Sequence, residues 1–289
     1  MTAGDIKIRT GELGDSFSGV VCNGADDYMA IAALGAQQAG AADVVGTISG
    51  WINIPNITGS YCMFSLGDTN ADEYLQLSIV AGKLSAACTD GAAARWATAS
   101  TNVVITPHKW HHIALVHTGG ATVGRPFLYV DGVRVAHTDT VTTDLTEWTN
   151  GLTGLDNASI GILSQNTSTT LDFLGAISYV KYATGIAASG ADWTSTQVKQ
   201  EYDYRAGKGS GSGVTTGVLC TWTLNNSLVE STTGGGTYDL TATSDAQFDL
   251  EYSNMTSKLR LLAPVVADDI SIVPHGMNGA FTAVVIKAA

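Results

Sequence analysis

The clearest chemical signal in the chain is Asp68-Thr69-Asn70-Ala71-Asp72, where oxygen-bearing side chains recur at alternate positions. Asp-x-Asn-x-Asp is the spacing that opens a calcium loop, because a hard cation takes carboxylate and amide oxygens from alternate residues of a tight turn. A full loop would need glycine at the sixth position and glutamate at the twelfth, but Glu73 and Ile79 stand there. Two readings follow: a calcium site on Asp68, Asn70 and Asp72, or a polar hairpin tip with no cofactor. Asp26-Asp27 is a second acidic pair with the same two readings. Trp96, Trp148 and Trp193 are candidates for stacking on a sugar ring. Trp148 lies in a Thr-rich stretch, 141–154, that reads as a long loop, so it is the one expected to be exposed and to bind a ligand. The competing reading is that a tryptophan beside a β-sandwich closes its core.

Hydrolytic chemistry has no comparable signal. Glycoside cleavage with retention needs an acid and a nucleophile about 5.5 Å apart. The one Glu-x-Asp, Glu201-Tyr202-Asp203, has no third carboxylate and falls in a stretch of helical spacing, where it reads as a solvated face. Asp72 and Glu73 are adjacent and would point to opposite faces of a strand. No Gly-x-Ser-x-Gly elbow, P-loop or His-Glu-x-x-His is present. His108, His111, His112 and His117 are close in sequence, but a strand puts His111 and His117 on one face and His112 on the other. That does not supply the converging ligands of a zinc site. The chain is therefore not expected to be an enzyme.

The elements that would position these residues centre on 109–136, which read KWHHIALVH, TGGATVGRP, FLYV, DG and VRVA. The first, third and last runs have the aromatic and β-branched content of strands. Asp131-Gly132 between FLYV and VRVA is a strong hairpin signal, because both residues tolerate positive φ. The result is an antiparallel meander. A Trp-x-His-hydrophobic-Ala strand, a Gly-rich loop and a hydrophobic-Tyr-Val-Asp-Gly hairpin resemble the laminin-G-like modules of the concanavalin A-like superfamily. The resemblance implies an all-β fold, an antiparallel β-sandwich of the jelly-roll kind. It also implies that His112 is a packed, hydrogen-bonded strand histidine. Glucanases of the superfamily carry a Glu-x-Asp-x-x-Glu strand motif, which is absent here. Some relatives bind calcium on rim loops.

Taken in order, residues 1–15 read as an N-terminal arm and 16–206 as the jelly roll. Strands are expected at 19–31, 46–54, 61–68, 73–80, 158–164 and 173–183, and a helix after Thr194 or Ser195. Residues 207–217, GKGSGSGVTTG, read as a flexible linker. Residues 218–252 resemble the stretch that usually opens a laminin-G-like module, with Trp222-Thr223-Leu224 as its first strand. The expected opening strand is missing before Gly19. The economical explanation is a circular permutation in which 218–252 return to complete the same sandwich. Trp222 and Leu224 would then share a core with Trp51 and Trp110. Residues 253–289 read as a C-terminal assembly arm.

Composition narrows the function. Of the 289 residues, 45% are hydrophobic and 14% charged, ample for a packed core. The formal charge of −12 argues against nucleic acid as a partner. No stretch approaches a membrane-spanning helix, so no membrane insertion is expected, and MTAGDIKIRTGELGD shows no secretory signal. Cys22, Cys62, Cys88 and Cys220 lack metal spacing and read as reduced thiols, with a Cys62–Cys88 bridge as the one pairing to consider. The resemblance implies a non-enzymatic structural or adhesive protein, of the kind found in bacteriophage virions as capsid decoration, fibre or tail appendage. Its partners would be other virion subunits or copies of itself, with cell-surface glycans as a further possibility. The alternatives are a carbohydrate-binding lectin, extracellular rather than in a virion, and a glycan-cleaving enzyme.

Overall fold

The computed structural model describes residues 19–119, 126–208, 211–224, 227–232, 237–243 and 247–249. The expected arms, 1–15 and 253–289, lie outside the described residues. The chain opens with Gly19–Asn23 (β1), Tyr28–Ala30 (β2), the helix Ala32–Gln38 (α1) and Val45–Asn53 (β3). A run of hairpins follows: Ser60–Gly67 (β4), Tyr74–Val80 (β5), Lys83–Asp90 (β6) and Ala93–Ser100 (β7). Next come His111–His117 (β8), Pro126–Val130 (β9), Val133–Arg134 (β10), His137–Thr142 (β11) and Asn157–Ile160 (β12). The described chain closes with Leu163–Gln165 (β13), Ser168–Thr170 (β14), Leu174–Gly185 (β15), the helix Ser195–Arg205 (α2), Val218–Trp222 (β16), Thr241–Thr243 (β17) and Gln247–Asp249 (β18).

Two antiparallel sheets face each other. One runs β10-β9-β8-β3-β15-β1-β18, with β16 also paired to β15; the other runs β11-β7-β6-β5-β4-β12-β2-β17. Alternation along each strand sends one set of side chains inward. Leu75, Leu77 and Ile79 of β5 meet Ile48 and Ile52 of β3 in one buried cluster. A ladder of rings crosses that core. His117 stacks on Trp96 at 5.8 Å and on Trp148 at 5.3 Å; Tyr182 stacks on Trp148 at 6.4 Å and on Phe64 at 5.4 Å. Trp222 lies 6.3 Å beyond Phe64. The Asp131-Gly132 turn has φ of 51° and 76°, the paired positive values of the expected two-residue hairpin.

The strand after 207–217 lies in the sandwich. β15 is long enough to carry two partners in tandem on one edge. Trp222 of β16 faces Val180, and Val20 of β1 faces Ile177, so β16 and β1 run end to end in the same direction. Tyr179 N–H bridges the junction by donating to Thr223 O at 3.2 Å. Trp222 and Leu224 enter the inter-sheet core, whereas Trp51 belongs to a separate cluster with Ala206, Trp110, Tyr179 and Tyr202. The expected sharing of one core by Trp222 and Trp51 is corrected: pairing alternation sends Trp51 to the outer face of its sheet.

That outer face is covered by α2 and by 211–217. Thr194 caps α2 with a full capping box to Gln197. Glu201, expected on a solvated face, is 2% exposed and accepts from Lys181 Nζ at 2.7 Å. The same pair holds the backbone of Val214: Val214 N–H donates to Glu201 at 2.7 Å and Val214 O accepts from Lys181 at 2.8 Å. Residues 211–217 are therefore a docked strap rather than the free linker their Gly/Ser content suggests. The four cysteines are buried free thiols, in line with the reduced reading, and Cys62 and Cys88 are not bridged.

Candidate functional site

The acidic signal maps to one rim of the sandwich. At the β4–β5 tip, Asn70 N–H donates to Asp68 Oδ1 at 2.7 Å, and the Asn70 side-chain amide donates to Asp156 at 3.1 Å. Thr69 donates to the same Asp156 carboxylate through its backbone N–H at 2.8 Å and its hydroxyl at 2.5 Å. Asp72 contributes its carbonyl to Ala92 N–H at 2.8 Å. Asp68, Asn70 and Asp72 are thus close in sequence, but the Asn70 amide is aimed at Asp156, with the geometry of a braced hairpin tip. Among the described residues no group of three or more His, Cys, Asp or Glu is placed to hold a metal ion.

Behind the tip the carboxylates become buried. Glu73 is 5% exposed and accepts from Gly154 N–H at 2.7 Å. Burial raises its pKa, the Gly154 hydrogen bond opposes that, and Asp90 and Asp68 add to the rise. Glu147 is buried and pushed up to about 7 by burial, against the pull of Arg95, whose Nε lies 3.1 Å from Glu147 Oε2. Arg95 also pairs with Asp90. Trp148 stands next to Glu147 and is fully buried, which corrects its expected exposure. Its indole N–H donates to Thr184 Oγ1 at 3.2 Å, and its ring fills the space where a side chain on Gly46 would stand, 2.4 Å away. Within the Thr-rich stretch, Glu147, Trp148 and Thr149 turn inward, so Trp148 closes the core and offers no face to a ligand.

A second place has the shape of a site. Between the β9–β10 turn and the outer flank of α2 runs an open groove of about 640 Å³. Gly132 lies in its floor; Val133 and Arg134 form one wall, and Thr196, Lys199, Gln200 and Tyr204 another. Ser212 of the strap closes it, with its carbonyl accepting from Gln200 Nε2 at 2.9 Å. Hydroxyls, an amide, a guanidinium and a partly exposed tyrosine ring are the mixture that hydroxyl-rich ligands require. Arg134 stacks over Phe127, 3.7 Å from the ring centroid. Gly132 was legible only as a turn residue, and none of the others was singled out from the sequence, because the turn and the helix that bring them together are far apart in the chain. The available signal was the run of Lys181, Lys199, Arg205 and Lys208 in a chain with only 14 basic residues.

The expected strand histidine, His112, is packed as implied, 5.5 Å from the Trp51 ring, but neither ring nitrogen has a hydrogen-bond partner among the described residues. Burial lowers its pKa to about 4, so it is neutral.

Residues 23–187 match the profile of the laminin-G-type family described as the concanavalin A-like lectin/glucanases superfamily. The chain belongs to this superfamily. No curated protein matches it in sequence. Among solved structures, a candidate carbohydrate-binding protein from Bacteroides ovatus superposes with a TM-score of 0.52 at 15% identity, covering 81% of this chain and 60% of that one. The Ruminococcus gnavus IT-sialidase CBM40 gives 0.46 at 17%, covering 58% of this chain and 92% of that one. A heptameric SAP-like pentraxin from Limulus polyphemus gives 0.45 at 13%, covering 87% and 94%. At such identities the likeness is one of fold, and a jelly roll hosts many functions.

Proposed function

We propose that this superfamily member is a non-catalytic, glycan-binding adhesive module, displayed on an assembly such as a bacteriophage virion. The observation that carries the binding reading is the open groove beside α2, sized for a short oligosaccharide, where hydroxyl, amide and charged groups stand among apolar and aromatic surface. A non-catalytic role is supported by the engagement of the rim carboxylates in structural contacts: Glu73 with Gly154, Asp156 with Thr69 and Asn70, and Glu147 with Arg95. What supports display on a particle is the sequence of 253–289, whose Pro-bounded apolar runs suit strand addition to a neighbour.

A glycan array, run with and without EDTA, tests the binding reading. Specific signal is expected, falling about tenfold in Tyr204→Ala and Gln200→Ala if the groove holds the sugar. Silence across the array would sink the reading. Signal lost on chelation would return the Asp68, Asn70 and Asp72 tip as a calcium site. Display is tested by whether the chain co-purifies with phage particles from its source.

A further inference from the structure

We infer that the groove selects saccharides carrying a carboxylate, and that the Arg134 guanidinium is the group that recognises it. This rests on the glycan-binding reading above. The first argument is the distribution of charge. Of the eight lysines and arginines among the described residues, five (Arg134, Lys181, Lys199, Arg205 and Lys208) lie on or against α2, while Lys83, Arg95 and Lys109 lie elsewhere. The acidic rim holds Asp68, Glu73, Asp90, Glu147 and Asp156 against Arg95 alone. The carboxylates set against these five are Asp131, Glu201 and Asp203, the last in the groove lining itself, so in a chain of net charge −12 an anion meets less repulsion at the α2 face than at the rim.

The second argument is which cation remains open. Lys181 is paired with Glu201, Lys199 with Asp203, and Lys208 donates to Tyr202 Oη at 2.9 Å. Arg205 lies over the Tyr179 ring at 3.5 Å, with its Nε 3.8 Å from Glu201. Arg134 is exposed, and no carboxylate among the described residues pairs with it. Its one contact of note is the Phe127 ring, which holds the guanidinium plane while leaving its edge donors free. A planar fork held in one orientation suits a carboxylate, which it can engage through two parallel hydrogen bonds. Thr196, Gln200 and Ser212 are then within the same groove for the ring hydroxyls.

The experiment compares acid and ester forms of one sugar. Binding of trigalacturonate, of 3′-sialyllactose, of the methyl ester of each and of a sulfated lactose is measured by calorimetry for wild type, Arg134→Gln, Arg134→Lys and the control Lys83→Gln. At least one acid is expected to bind about tenfold or more tightly than its neutral counterpart. That preference should vanish in Arg134→Gln, survive only in part in Arg134→Lys, and persist in Lys83→Gln. Equal binding of acid and neutral forms would overturn the inference and leave the glycan reading standing. A sulfated oligosaccharide that binds best, with Arg134→Lys as good as wild type, would overturn it too, since a point charge would then suffice. No binding here together with a silent array would remove both readings.

Discussion

At the residue scale, the buried titratable groups set opposing pH dependences. His112 and His117 have pKa values lowered to about 4 by burial. The unfolded chain takes up these protons near pH 6.5, so their contribution is intact above that value and is lost as pH falls through about 4. Glu147 works the other way. Its folded pKa of about 7 lies above the unfolded value near 4.5, so its contribution is full below that and is lost as pH rises through about 7. Thermal stability should peak between these limits in a Tm–pH series. His112→Phe removes two unpartnered ring nitrogens from a buried position. It should leave Tm unchanged or raised at pH 7 and raise it more at pH 5, with gains of up to about 1–2 kcal/mol. A lower Tm at pH 5 would show that those nitrogens are satisfied in solution. His117 is less replaceable, since its neutral ring has one N–H to donate and a carbonyl within reach of either nitrogen, Leu145 at 3.0 Å and Val44 at 3.2 Å.

At the scale of elements, two features make separable predictions. The β9–β10 turn requires positive φ at Gly132, and a Cβ there would also lie 3.1 Å from Tyr202. Gly132→Val should therefore cost roughly 1–3 kcal/mol for the backbone alone. An unchanged Tm would show that the turn adopts another geometry. The strap is held by a buried ion pair, and Glu201→Ala strands both Lys181 Nζ and Val214 N–H. A loss of about 3–5 kcal/mol is expected, with Lys181→Met/Glu201→Leu recovering part of it. A loss below ~1 kcal/mol would mean that the strap is held elsewhere. Here the sequence was partly legible. Asp131-Gly132 and the Thr194 cap announce themselves because turn and cap chemistry is local. The strap is opaque because Gly/Ser composition reads as freedom, while its anchors, Lys181 and Glu201, look like surface charges until a tertiary partner is known. Trp148 misled for the same reason: the threonines around it read as solvent, and Thr142, Thr143 and Thr153 are exposed, yet Glu147, Trp148 and Thr149 turn inward and the indole fits against Gly46.

At the scale of the molecule, the cations gather at the α2 face, against Asp131, Glu201 and Asp203, while the rim is acidic, which should make capture of anionic ligands salt-sensitive. The permutation remains a proposal, and what supports it is β16 and β1 sharing one edge of β15. Removing everything after Ala206 should leave an insoluble or molten product, because Cys220, Trp222 and Leu224 would be taken from the core. A cooperative, soluble fold for 1–206 would instead favour a separate small module.

The shared edge of β15 also has a consequence for biosynthesis. A ribosome releases the chain from its N-terminal end at roughly 5–20 residues per second. β15 and β1 can pair as soon as residue 185 has emerged, but half of that edge has no partner until residue 222 follows. For those seconds the nascent protein offers open backbone donors and acceptors and an uncovered Phe64–Tyr182 stack. Chaperone demand and polysome crowding, rather than the stability of the finished sandwich, would then govern its yield, and slowing translation past residue 185 should lower the soluble fraction.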